Sequence, residues 1–163
     1  MKMIIFLITS GLLFFSVVAT SAQTPNFSGK WKLHTESPHL KPDFMTMNVS
    51  QSPTELKVET TIKLQKSEEI ITKNYNLEGK QTFIEAHDGL AAAELNANSQ
   101  PDGNLRLTST VFMTNKAEKF TVERESVWEL INGGKTLKVT EYMKSIAGKA
   151  KNAEGIEMYF TKE

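Results

Sequence analysis

The 163-residue chain contains no cysteine. A disulfide framework is therefore excluded, and so is a lipid anchor carried on a cysteine. Charge of one sign is missing too: 19 Lys and Arg balance 19 Asp and Glu, for a formal net charge of zero. Nucleic-acid binding needs a basic patch or stripe, and none is present. A charge-driven membrane partner has equally little to act on. Histidine is scarce. His34, His39 and His87 have no spacing that suits a zinc ion, so no metal and no cofactor is expected. No serine has a plausible His-Asp set around it. The glycines fall in turns, and none forms a phosphate-binding loop ahead of a helix. No catalytic residues are assigned on this basis; an enzyme reading stays open as an alternative, with Glu141 and either Tyr75 or Lys73 as its acid-base pair.

Long apolar runs are confined to the first 22 residues. Lys2 supplies a positive start, residues 3–8 and 11–18 are apolar, and Thr20, Ser21 and Ala22 are small. This is the pattern of a secretory signal peptide, removed in the mature protein. Thr9 and Ser10 interrupt the run, and it is shorter than the ~20 apolar residues of a permanent span. The expected organisation is a signal peptide over 1–22 and one domain over 23–163. That domain would be exported, periplasmic or secreted, with no stable membrane insertion after cleavage.

What fills the rest of the chain is alternation. Leu56, Val58, Thr60, Ile62 and Leu64 alternate with Lys57, Glu59, Thr61 and Lys63. Leu105, Leu107, Val111 and Met113 alternate with Arg106, Thr108, Thr110 and Thr114. A period of two marks a strand with one wet face. Turn signals separate the runs at Ser52-Pro53, Glu78-Gly79, Asp88-Gly89, Pro101-Asp102-Gly103 and Gly133-Gly134. The pattern predicts about ten strands, over 28–36, 44–51, 55–65, 68–77, 80–87, 90–98, 104–114, 118–131, 136–147 and 156–162. Segments 37–43 and 148–155 are left irregular, and no stretch has helical period. An open sheet of this length would leave two edges and a half-exposed apolar face. The expected fold is therefore all-β, an up-and-down antiparallel barrel, with a two-sheet sandwich as the alternative.

Three short motifs add a resemblance. "FSGKWKL" at 27–33, "LEGK" at 77–80 and "WELINGGKTLKV" at 128–139 resemble segments of the lipocalins and fatty-acid-binding proteins, the calycin group. The match is closer to small exported bacterial lipocalin-like proteins. The resemblance implies a barrel with an internal cavity. It lacks the Thr-Asp-Tyr loop motif of lipocalins, and 37–43 is too short for the helical lid of fatty-acid-binding proteins. Gly29 and Trp31 would close the barrel, Trp31 as a plug and Gly29 by admitting a neighbouring segment.

Register by hand sets Ile84 against Ala93, Val111 against Val122, Ser109 against Arg124, Ser126 against Glu141 and Trp128 against Val139. The apolar parity agrees across these pairs, as one core face requires. It also turns Thr60, Lys73, Tyr75, Ser109, Arg124, Ser126 and Glu141 inward. Two readings of the charges stand open. Arg124 and Glu141, one diagonal step apart, form an interior ion pair; or the Arg124 guanidinium anchors an anionic head group such as a carboxylate. Ala86, Ala91, Ala93 and Ala97 are expected to leave room for a ligand on the same face. The expected function is sequestration of a small, hydrophobic or amphipathic ligand. The alternative is an interaction module that uses its outer surface, where Phe83 and Phe112 fall.

Overall fold

The computed structural model describes residues 25–34, 44–64, 67–86, 91–115, 118–151 and 154–163. The signal-peptide expectation over 1–22, the absence of a lid over 37–43, His39, His87 and the Asp88-Gly89 turn all lie outside these residues. Eleven strands form one antiparallel sheet: β1 Gly29–Leu33, β2 Phe44–Gln51, β3 Glu55–Leu64, β4 Ser67–Asn76, β5 Thr82–Ile84, β6 Ala93–Ser99, β7 Leu105–Asn115, β8 Glu118–Ile131, β9 Thr136–Ile146, β10 Lys149–Ala150 and β11 Ile156–Lys162. The strands pair in the order β4-β3-β2-β1-β11-β9-β8-β7-β6-β5, and β10 pairs with β9 alone. The sheet thus curls into a nearly closed ten-strand barrel. One interruption remains, between β4 and β5. There the strands are neighbours in sequence and in space, yet no ladder joins them.

The registers follow from the alternation. Ile84 pairs with Ala93, Val111 with Val122, Ser109 with Arg124, Ser126 with Glu141 and Trp128 with Val139. A bulge at Glu123 and Arg124 then shifts the β8–β9 ladder, so that Arg124 pairs with Met143 while Val122 pairs with Ile146. The extra residue lets both Met143 and Ile146 stay on the apolar side.

Two details differ from the expectation. The fifth strand is only three residues long. Segment 148–155 is not wholly irregular: Ala147 and Gly148 take φ of 51° and 73°, and Lys149 pairs back with Ile146. Two successive positive φ values make a tight turn whose twist suits a hairpin. Alanine seldom adopts that conformation, which is why the sequence does not announce it.

The core sits at one end. Phe27, Trp31, Leu56, Leu95, Leu105, Leu137 and Phe160 are fully buried there. Phe27 lies ahead of β1 and meets the Trp128 ring edge-on at 6.0 Å. Gln51 fixes this segment: its Oε1 accepts from Phe27 N at 2.8 Å, and its Nε2 donates to the Pro25 carbonyl at 3.1 Å. Trp31 Nε1 donates to the Phe27 carbonyl at 2.9 Å. The floor is thus an interlocked Phe27-Trp31 pair and not Trp31 alone. Gly29 does admit a neighbour, but a side chain and not a backbone. Its φ is 145°, and a Cβ there would come within 2.6 Å of Lys162 Cε. Lys162 Nζ lies 5.1 Å from the Trp31 ring centroid, covering it with a cation.

At the other end no described residue covers the interior. Leu64, Met113 and Ile156 have inward parity at the far ends of β3, β7 and β11, yet all three are exposed. Inward residues of a capped barrel would be covered. These three instead form an apolar rim around a mouth.

Candidate functional site

All seven polar residues of the inward parity set line one cavity. They come from two facing walls. Thr60 stands on β3, with Lys73 and Tyr75 on β4. Ser109 is on β7, Arg124 and Ser126 are on β8, and Glu141 is on β9. In the strand order, β3 and β4 lie halfway round the barrel from β8 and β9. Met45, Val58, Leu107 and Met158 supply apolar wall, and Trp128 and Phe160 the base. The cavity volume is about 90 Å³, room for roughly three waters at ~30 Å³ each.

The ion pair expected between Arg124 and Glu141 is not made. Among the described residues neither of them enters an ion pair or a side-chain hydrogen bond. Both are exposed. The physical reason is exposure: a solvent-exposed charge carries no desolvation penalty that pairing must offset. Lys73 and Tyr75 sit deeper. Burial pushes the Lys73 ammonium below its ordinary value of 10.5, Glu141 opposes that shift, and Arg124 adds to it by like-charge repulsion. Burial and the Glu141 carboxylate both push the Tyr75 phenol well above its ordinary value, so it stays protonated. The cavity lining therefore carries two basic residues, Lys73 and Arg124, and two acidic ones, of which Glu125 is already engaged by Arg106 and Lys144 and Glu141 has no ion-pair partner among the described residues.

Ser126 has a second duty. Its Oγ accepts a hydrogen bond from Trp128 Nε1 at 2.9 Å, fixing the indole at the base of the cavity. The alanines do not shape this cavity. Ala93 and Ala97 are buried in the core, while Ala86 and Ala91 line a separate open groove with Ala92, Phe112 and Phe120. Trp31 lies beneath the cavity and does not line it. Glu125 is held between Arg106 at 3.3 Å and Lys144 at 3.6 Å.

Phe27 and Gln51 are the residues that alternation misses. Phe27 precedes the first strand, so no periodicity marks it. On the outer surface Phe83 and Phe112 are 58% and 39% exposed, with ring centroids 6.4 Å apart.

No protein-family model matches the sequence, and no curated protein matches it. Solved structures do. One is an abundant heat soluble (SAHS) protein from Ramazzottius varieornatus, 10% identical, with a TM-score of 0.54 over 83% of this chain and 94% of that one. A second is the apo form of lipid binding protein 8 from Caenorhabditis elegans, 11% identical, with a TM-score of 0.47 over 84% of this chain and 95% of that one. At such identity the first likeness speaks for architecture alone. It agrees with the ladder order of a nearly closed, up-and-down antiparallel β-barrel.

Proposed function

We propose that the protein is an exported binding protein of the small bacterial lipocalin-like kind, and that it sequesters an amphipathic anion in its barrel. One observation carries this reading. Arg124, Lys73 and Glu141 line one interior cavity, and none of them enters an ion pair among the described residues. Lys73 is the desolvated charge of the three, and leaving it without a counter-ion is costly in a pure scaffold. A monoanion seated there would balance the excess cation, with the Arg124 fork taking two of its oxygens. Pockets that enclose a whole drug-sized ligand measure ~300–1,000 Å³. The volume here suits a head group, with an apolar tail running past Met45 and out over the rim of Leu64 and Ile156.

Calorimetric titration with octanoate tests the reading. Arg124→Ala is expected to weaken binding by at least about tenfold, because a hydrogen bond to a charged group contributes ~1.5–3 kcal/mol. Equal affinity in wild type and variant removes Arg124 from the site. A second reading has its own support in the exposed Phe83-Phe112 pair, which suits a protein contact on the outer wall. Under it the barrel is a scaffold, and Phe83→Ser would abolish partner capture while leaving octanoate titrations flat in every variant.

A further inference from the structure

Lys73 is the one lysine that lines the cavity. Other lysines are used at the surface: Lys30 with Glu163 at 2.7 Å, Lys80 with Glu78 at 2.9 Å, and Lys138 with Glu157 at 2.6 Å. Lys73 has no such carboxylate partner among the described residues. It projects from β4 toward the wall that carries Arg124 and Glu141, and Tyr75 is its same-face neighbour on the strand. Residues two apart on a strand point the same way and lie roughly 6–7 Å apart. A primary amine, a phenol that keeps its proton and a carboxylate thus face one small space with an apolar lining.

We propose that this cavity captures carbonyl compounds, Lys73 forming an imine with an aldehyde or ketone on an amphipathic ligand. The proposal rests on the interior-binding reading and names the reactive class of ligand. The lone pair of the Lys73 amine attacks the carbonyl carbon, and the carbonyl π electrons move to oxygen. Tyr75 gives its proton to that oxygen, and Glu141 takes one from the nitrogen, leaving a carbinolamine. Glu141 then returns its proton to the hydroxyl, which leaves as water as the C=N bond forms. The remaining N–H proton restores Tyr75. Bonds and protons balance with water as the only by-product, and no oxidant or reductant takes part. Desolvation and a neighbouring cation are the two influences that make a lysine amine nucleophilic near neutral pH, and Lys73 has both. Arg124 stays free to hold an anionic group on the same ligand.

The experiment is trapping. The full chain is incubated with octanal and cyanoborohydride near pH 7, and the alkylated lysines are mapped by peptide mass spectrometry. Lowering an amine's pKa raises its neutral, nucleophilic fraction near pH 7, so Lys73 in its cavity is expected to react faster than exposed Lys80. Octanol, with the same chain and no carbonyl, should suppress labelling of Lys73 and leave Lys80 unaffected. Tyr75→Phe should slow labelling at Lys73 without redirecting it. Lys73→Met should abolish the fast phase, and the wild-type map answers the question even if that variant does not fold. Labelling spread over the surface lysines with no preference for Lys73 overturns the proposal. If octanoate still binds in that case, the carrier reading survives. If octanoate fails as well, both fall together.

Discussion

Gly29 shows how much one missing side chain does. Its backbone is in a region that L-residues rarely enter, and the space of its absent Cβ is filled by Lys162. Gly29→Ala would add backbone strain and displace the cation from Trp31. A loss of about 1–3 kcal/mol is expected from each kind of defect, read as a lower urea midpoint with an unchanged m-value. Gly155 makes a similar demand. A Cβ there would come within 2.6 Å of Thr140 Cγ2 and Tyr142 Cε1. Gly155→Ala should therefore destabilise by about 1–3 kcal/mol through overpacking, in the same urea titration. Both glycines are plain in the sequence, but what they make room for is not. Lys162 and Tyr142 are brought in by strands remote in the chain or on the far side of a turn, and no local pattern encodes that approach. The inward set is the opposite case. Arg124 and Glu141 share parity with Val122 and Val139, so their direction is legible from spacing alone. Whether they touch depends on their exposure, which spacing does not report.

At the level of elements, the strands were legible because each has one wet face. Period-two alternation and turn length together determine which residues stand opposite, and the pairs from Ile84–Ala93 to Trp128–Val139 obey them. Legibility fails where a short element is held by its neighbours. β5 is three residues long and survives by pairing with β6 alone. The β9–β10 turn holds Ala147 at φ 51° against its preference. Left-handed backbone costs a non-glycine residue roughly 1–2 kcal/mol, and asparagine tolerates it better. Ala147→Asn should therefore raise the thermal midpoint, while Ala147→Val should lower it. A scanning calorimetry pair settles this, and unchanged midpoints in both variants would show that the turn relaxes freely.

Across the whole molecule, two interior groups set opposing pH dependences. The folded-state pKa of Lys73 lies below its ordinary 10.5. Below that ordinary value the unfolded chain binds the extra proton more readily, so stability rises as pH climbs through this window. The folded-state pKa of Tyr75 lies above its ordinary 10.0. Above pH 10 the folded state retains a proton that the unfolded state has lost, so stability falls. Arg124, Glu141 and Glu125 are the other charged residues that line this cavity, Glu125 being held by Arg106 and Lys144. Urea midpoints measured from pH 7 to 11 should pass through a maximum on the alkaline side. Lys73→Met should flatten the rise and Tyr75→Phe the fall. A profile unchanged in either variant would mean that the interior charges are fully hydrated.

The barrel is sealed where its chain is farthest apart, yet unsealed between two strands that follow each other in sequence. β1 pairs with β11, and the Thr161 hydroxyl reaches the Lys32 carbonyl across 129 positions of sequence. β4 and β5, joined by one short turn, make no ladder. Closing the remote seam carries the largest loop entropy in the fold, so it belongs late in folding and limits its rate. The local seam carries almost none. With no ladder to break, parting this seam would cost less than parting any other, and side access to the interior would not require global opening.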